Sequence, residues 1–229
     1  MYELSQALRL AHQAQTVAPL RQPRALARFL YHRWYLGQAA PHTIPRQHRP
    51  HMWRSWSDSW QDGSAPRGEQ LVRLHLACTP HTALLAVTLA TEHARTWDAP
   101  WQLVSTAMSS PVSAPDATVL FVPISELDRL RPAIDALVAD AGPLLSSVTP
   151  PMTLRVGPGA SLAQNPADGG NFGKHRCRII SEIALATHDL SRQDQLAAAK
   201  SALLAQGIDP GRPYLHSTVG VPDLAWAAA

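Results

Sequence analysis

Cysteine and lysine are both scarce in this chain of 229 residues, and charged residues of all kinds make up only 16% of it. Cys78 and Cys177 lie far apart and outside any CxxC spacing, which argues against a disulfide framework or a thiolate zinc site and fits a reducing, cytoplasmic setting. Lys174 and Lys200 are the only lysines, so arginine supplies nearly all of the positive charge, and its planar fork suits phosphate and carboxylate. A net charge of +3 with no basic run gives no argument for nucleic acid. There is no continuous apolar segment long enough for a signal peptide or a membrane span, no internal repeat, and no low-complexity tract beyond the final alanines. What is present is 45% hydrophobic residues together with 20 prolines, the composition of a folded chain with many turns.

Leu4, Leu8 and Ala11 predict a helix over 3–17, and Leu26, Phe29 and Leu30 predict a second over 23–37, with Pro19 and Pro23 between them. Residues 41–68 carry four prolines, three histidines and three tryptophans without clear periodicity, and are read as a long ordered loop. The middle of the chain then reads as strand 70–77, helix 82–94, strands 101–107 and 117–123, helix 124–142 and strand 152–156. That βαββαβ order is the split arrangement of a ferredoxin-like sheet, so the expected class is α+β, with a ferredoxin-like core flanked by N- and C-terminal helices. Residues 1–68 hold the N-terminal helices and the Pro/Trp/His loop, 69–229 hold the α+β domain, and the two are expected to form one unit. The glycine- and proline-punctuated segment 157–170 is read as a loop leading into a helix from about residue 172. A last helix starts at the N-cap Ser191, buries Leu196, Ala199 and Leu203, and stops at Gly207.

The densest chemistry lies in GGNFGKHRCR, 169–178, where Lys174, His175, Arg176 and Arg178 fall within the first turns of that helix. A helix N-terminus offers free N–H groups and a positive dipole end, so extra cations there are disfavoured unless an anion answers them. Helical spacing puts Lys174, Arg178 and Glu182 on one face and Cys177, Ile180 and Ala184 on the face that packs inward. Tyr214 and His216 follow a turn and either close over the site or pack as a tail. His42, His48 and His51 lack the Cys or acidic partners of a metal site, so no metal is expected. The spacing of Trp53, Trp56 and Trp60 is read as a packing stripe. No nucleotide, flavin or metal motif indicates a cofactor.

Several segments, in this order, resemble the HopA-type effector family of type III secretion: RALARFLYHRWYLG (24–37), PWQLV (100–104), DATVLFVP (116–123), PMTLRVGPGASLAQNP (151–166), GGNFGKHRCRIISEIA (169–184) and DPGRPYLH (209–216). The resemblance covers about residues 24–216, and the FG..R.R block is its most specific part. It implies a lyase of lanthipeptide and thioamitide maturation, which removes phosphate from a phospho-Ser or phospho-Thr of a precursor peptide to leave dehydroalanine or dehydrobutyrine. A separate partner kinase would supply that phosphopeptide, and neither nucleic acid nor membrane is implied. β-Elimination needs a base, a cationic cradle and a proton donor. On this resemblance Lys174 is the base, its pKa lowered by neighbouring arginines and partial burial. His175 is the general acid, Arg176 and Arg178 hold the phosphate, and Asn171, Tyr214 and His216 contact the substrate. The family pattern also implies a lysine near Val104 or Ser105, an arginine at Ala114, a serine at Asn171 and an acid at Gln164. Those departures keep two alternatives in view: a catalytically degenerate subunit that binds peptide or kinase, and a type III effector.

Overall fold

The structure is a computed structural model that describes residues 2–16, 18–37, 52–60, 65, 69–107, 114–166 and 168–216. It divides into two units, Met1–Thr43 with Pro166–Val221 and Ile44–Asn165 with Pro222–Ala229.

In the first unit the N-terminal and C-terminal helices pack together. Leu4, Ala7, Leu8, Ala11 and Ala14 form the buried stripe of α1 (Tyr2–Ala14), as their spacing requires. Pro23 sits at the first position of α2 (Pro23–Leu30), where its missing N–H costs nothing, and Leu26 and Leu30 point inward. The helix then widens into a π-helical turn, Tyr31–Tyr35, which buries Trp34 and Tyr35. α5 (Phe172–Ala186) buries Cys177, Ile180 and Ala184 and leaves Lys174, Arg178 and Glu182 exposed, the two faces expected from spacing. α6 (Arg192–Ala205) begins at Ser191, whose Oγ accepts the Asp194 N–H at 3.2 Å. It ends at Gly207, whose φ of +69° belongs to the left-handed region. The N–H groups of Ile208 and Gly207 there return to the carbonyls of Leu203 and Leu204, closing a Schellman motif.

The second unit is built on a six-stranded, wholly antiparallel sheet. Its strands are β1 (Trp53–Trp56), β2 (Leu71–Leu76), β3 (Gln102–Ser105), β4 (Thr118–Pro123), β5 (Leu154–Gly157) and β6 (Ala160–Gln164), in the spatial order β1-β3-β4-β2-β6-β5. α3 (Ala83–Arg95) packs on β3, β4 and α4, and α4 (Leu127–Ala141) packs on β5. The chain is thus a mixed α/β protein of six strands and six α-helices among the described residues, and its sheet order departs from the ferredoxin-like expectation. The strand expected at 152–156 becomes β5 at the sheet edge. Its neighbour β6 takes the place beside β2, with His75 opposite Ser161.

β6 lies inside the segment read as a loop. Pro158 and Gly159 form the two-residue turn between β5 and β6, with Gly159 at φ +67°. A Cβ at Gly159 would meet the Leu145 side chain at 2.7 Å, so the turn also requires glycine for space. The long loop is likewise shortened, because β1 pairs with β3. On a strand Trp53 and Trp56 face opposite ways, Trp56 is 42% exposed, and only Trp60 is buried, so the expected tryptophan stripe does not form. His42, His48 and His51 lie outside the described residues. Cys78 and Cys177 are both buried free thiols, and burial pushes the Cys78 thiol upward. Among the described residues no helix is long and apolar enough to cross a membrane.

Candidate functional site

α2 and α5 run antiparallel across the first unit. Ser181 of α5 donates to the Pro23 carbonyl at the start of α2 at 3.1 Å, while Lys174 at the start of α5 lies 5.8 Å from the ring centre of Tyr31 beyond the end of α2. Between them runs an open groove of about 940 Å³. α5 lines it with Lys174, Arg178 and Glu182, each one turn after the last. The facing chain supplies Pro23, Ala27 and Tyr31 at the same spacing, with Arg24, Arg28 and His32 one residue further along. Four cations therefore meet one carboxylate. Arg178 reaches Glu182 at 3.6 Å, a loose exposed pair, whereas Arg24 and Arg28 make no ion pair or side-chain hydrogen bond with any described residue.

The start of α5 is shaped by a close approach. Asn171 is its N-cap, and its Oδ1 accepts the Lys174 N–H at 2.9 Å. That amide oxygen therefore caps the helix. Gly173 follows, and the Tyr35 ring lies so near that a Cβ there would come within 2.5 Å of Tyr35 Cδ1 and Cζ. Tyr35 is itself buried and stacks on Tyr31 with ring centres 5.5 Å apart. The groove floor at Tyr31 is thus fixed through Tyr35 by the glycine of α5.

The 174–178 block does not act as one cradle, because the helix splits it. Arg176 is fully buried and away from the groove. Its Nε and Nη2 donate to the Pro213 carbonyl at 3.2 and 3.0 Å, and its guanidinium lies 4.6 Å from the centre of the Phe172 ring. Its Nη1 donates to His175 Nδ1 at 2.9 Å. An arginine N–H can only donate, so His175 Nδ1 is the acceptor of this bond. The His216 ring follows, 6.0 Å from His175 between centres. Arg176, expected on phosphate, instead ties the C-terminal turn to α5, because a residue two places after Lys174 points to the opposite side of a helix. Lys174 departs from expectation in another way: its side chain is exposed rather than partly buried. Tyr214 and His216 are half-buried in the C-terminal turn beside this second cluster. The groove residues that spacing arguments passed over are Arg24, Arg28, Tyr31 and His32. RALARFLYH held the signal, two arginines four apart with no acid to answer them.

His216 makes the first unit acid-sensitive. Burial holds its pKa down to about 4, helped by Arg176 and His175 and opposed by Asp168. The unfolded chain takes up this proton near the ordinary histidine pKa and the folded chain only near 4. The stability is therefore complete above about pH 6.5 and lost as pH falls toward 4. Allowing for the solvent that reaches His216, the loss is about 1–2 kcal/mol. Denaturant unfolding at pH 7 and 4.5 should show this slope in the native chain and a flatter one in His216→Gln. Identical slopes would contradict the assignment.

Fold and groove together define the class: an α/β chain that presents a cation-lined helical groove. The family model of the HopA1 effector proteins matches residues 59–215, and the chain belongs to that family. The matched range contains the α5 side of the groove, while α2 precedes it. Among solved structures the chain is similar to an effector protein from Pseudomonas syringae pv. syringae strain 61, with a TM-score of 0.57 and 14% identity over 94% of this chain and 96% of that one. It is also similar to an effector protein from Pseudomonas syringae pv. tomato strain DC3000, with a TM-score of 0.52 and 19% identity over 67% of this chain and 59% of that one. At these identities the likeness is one of fold. No curated protein sequence matches the chain.

Proposed function

We propose that this chain is a phospho-Ser/Thr lyase that acts on a precursor peptide phosphorylated by a partner kinase in the cytoplasm. The observation that carries the reading is the groove, where Arg24, Arg28 and Arg178 converge with Lys174 on a floor made by Ala27 and Tyr31. In the reaction, Lys174 is the base that takes the α-proton of the phosphorylated residue. The electron pair left at Cα becomes the Cα=Cβ bond, the Cβ–O bond breaks, and phosphate departs with that bonding pair. Arg178, one turn after Lys174, neutralises the departing dianion. His32, the imidazole that lines the groove, takes the proton-donor role that the family resemblance had implied for His175.

Incubation with a phosphoserine peptide tests this by mass spectrometry. Loss of phosphoric acid is expected with the native chain and at least 100-fold more slowly with Lys174→Ala, as for removal of a positioned base. Equal loss with both proteins would remove Lys174 from the mechanism. The second reading, a type III effector, draws on the solved relatives, which are effector proteins. Peptide binding without turnover would favour that reading or the degenerate binding subunit.

A further inference from the structure

We infer that the groove recognises a second anionic group beside the phosphate, so that its preferred peptide carries an acidic or phosphorylated residue about three positions from the one that reacts. The inference rests on the phosphopeptide reading and assigns Arg24 and Arg28 as the residues that set this specificity. Lys174, Arg178 and Glu182 span two helical turns of α5, about 12 Å at 1.5 Å per residue. A single phosphate between Lys174 and Arg178 occupies one of those turns. Antiparallel packing places Arg24 toward the other end, because Pro23 adjoins Ser181 while Tyr31 adjoins Lys174.

The charges at that end are unbalanced. Glu182 is answered by Arg178, and neither Arg24 nor Arg28 has an acidic partner among the described residues. Arg24 also lies in the first turn of α2, where the positive dipole end favours an anion and disfavours a cation. An extended peptide advances about 3.3 Å per residue, so a spacing of one to two helical turns corresponds to about two to three residues. Charge complementarity thus selects an acidic peptide as the occupant, with the reacting phosphate at the Lys174 end and the second anion at the Arg24 end.

Fluorescence anisotropy of labelled peptides tests the inference. One peptide carries phosphoserine with neutral flanks, and two others add Asp three residues before or after it. One of the Asp peptides should bind the native chain about fivefold more tightly than the neutral one, and the gain should vanish in Arg24→Gln/Arg28→Gln. These are exposed helical positions at which Gln is well tolerated. No gain with either peptide, or a gain that survives the double variant, would overturn the inference. Turnover of the neutral peptide is measured separately by mass spectrometry. Turnover without an Asp gain defeats only the second-anion site, whereas an arginine-dependent gain without turnover defeats only the lyase. Absence of any binding defeats both.

Discussion

Replacing Gly173 with alanine is expected to destabilise the helical unit by about 3 kcal/mol, the range of overpacking a closed core. Alanine is the better helix former, so helix propensity alone predicts the opposite sign. The added Cβ, however, would stand within 2.5 Å of Tyr35 Cδ1 and Cζ, and Tyr35 is 1% exposed, so its ring has nowhere to retreat. For a chain of this size the cost corresponds to a fall in Tm on the order of 10 °C. Gly142→Ala is the control, because nothing lies within 4 Å of a Cβ there and φ is helical at −45°. Gly173→Ala/Tyr35→Leu should recover part of the loss by making room. An unchanged Tm in Gly173→Ala would show that α5 and the π-helical turn are not in contact as described.

Arg176→Ala is expected to cost about 3–5 kcal/mol, the sum of a cavity left by a large buried side chain and of hydrogen-bond acceptors that lose their donor. The substitution leaves the Pro213 carbonyl and His175 Nδ1 without their donor, and it opens a cavity against Phe172. Two readouts distinguish this from a general loss of fold. The C-terminal turn at 209–216 should become cleavable by protease, since its tie to α5 is gone. The pKa of His216 should rise from about 4, because Arg176 is the second cause of its depression after burial. A phosphate-binding Arg176 would behave in the opposite manner, with phosphopeptide affinity lost and both Tm and His216 unchanged.

The contrast between Arg176 and Arg178 shows what sequence spacing could deliver. The two-faced character of α5 was legible, since Cys177, Ile180 and Ala184 repeat at three-to-four spacing and fill the interior. The same period places Arg176 opposite Lys174 and Arg178, yet the density of cations in 174–178 invites treating them as one cluster. The cap at Ser191 and the stop at Gly207 were legible because each rests on the local chemistry of one side chain. β6 was not, because Ala160–Gln164 is buried at every position and rich in alanine, so it has neither alternation nor strong β-propensity. Without β6 the sheet order could not be read, since the strand expected at 152–156 had no other neighbour than β2. β1 was hidden in the same way, as four residues among prolines and histidines whose only strand signal is pairing with the distant β3.

The groove was half legible for a related reason. Its α5 wall lies in one short block, whereas its α2 wall is about 150 residues away in sequence, and only the fold brings Arg24, Arg28 and Tyr31 opposite Lys174 and Arg178. Spacing along either helix identifies a charged face. It does not say that two such faces share a groove.

The most direct measurement is the mass spectrum of a phosphoserine peptide after incubation with the native chain, with Arg178→Ala in parallel. The account predicts loss of phosphoric acid with the native chain and a reduction of at least tenfold with Arg178→Ala, which removes one charge-assisted contact to the leaving phosphate. No loss with the native chain would contradict the lyase. Equal loss with both proteins would contradict the groove between α2 and α5 as the place where phosphate is held.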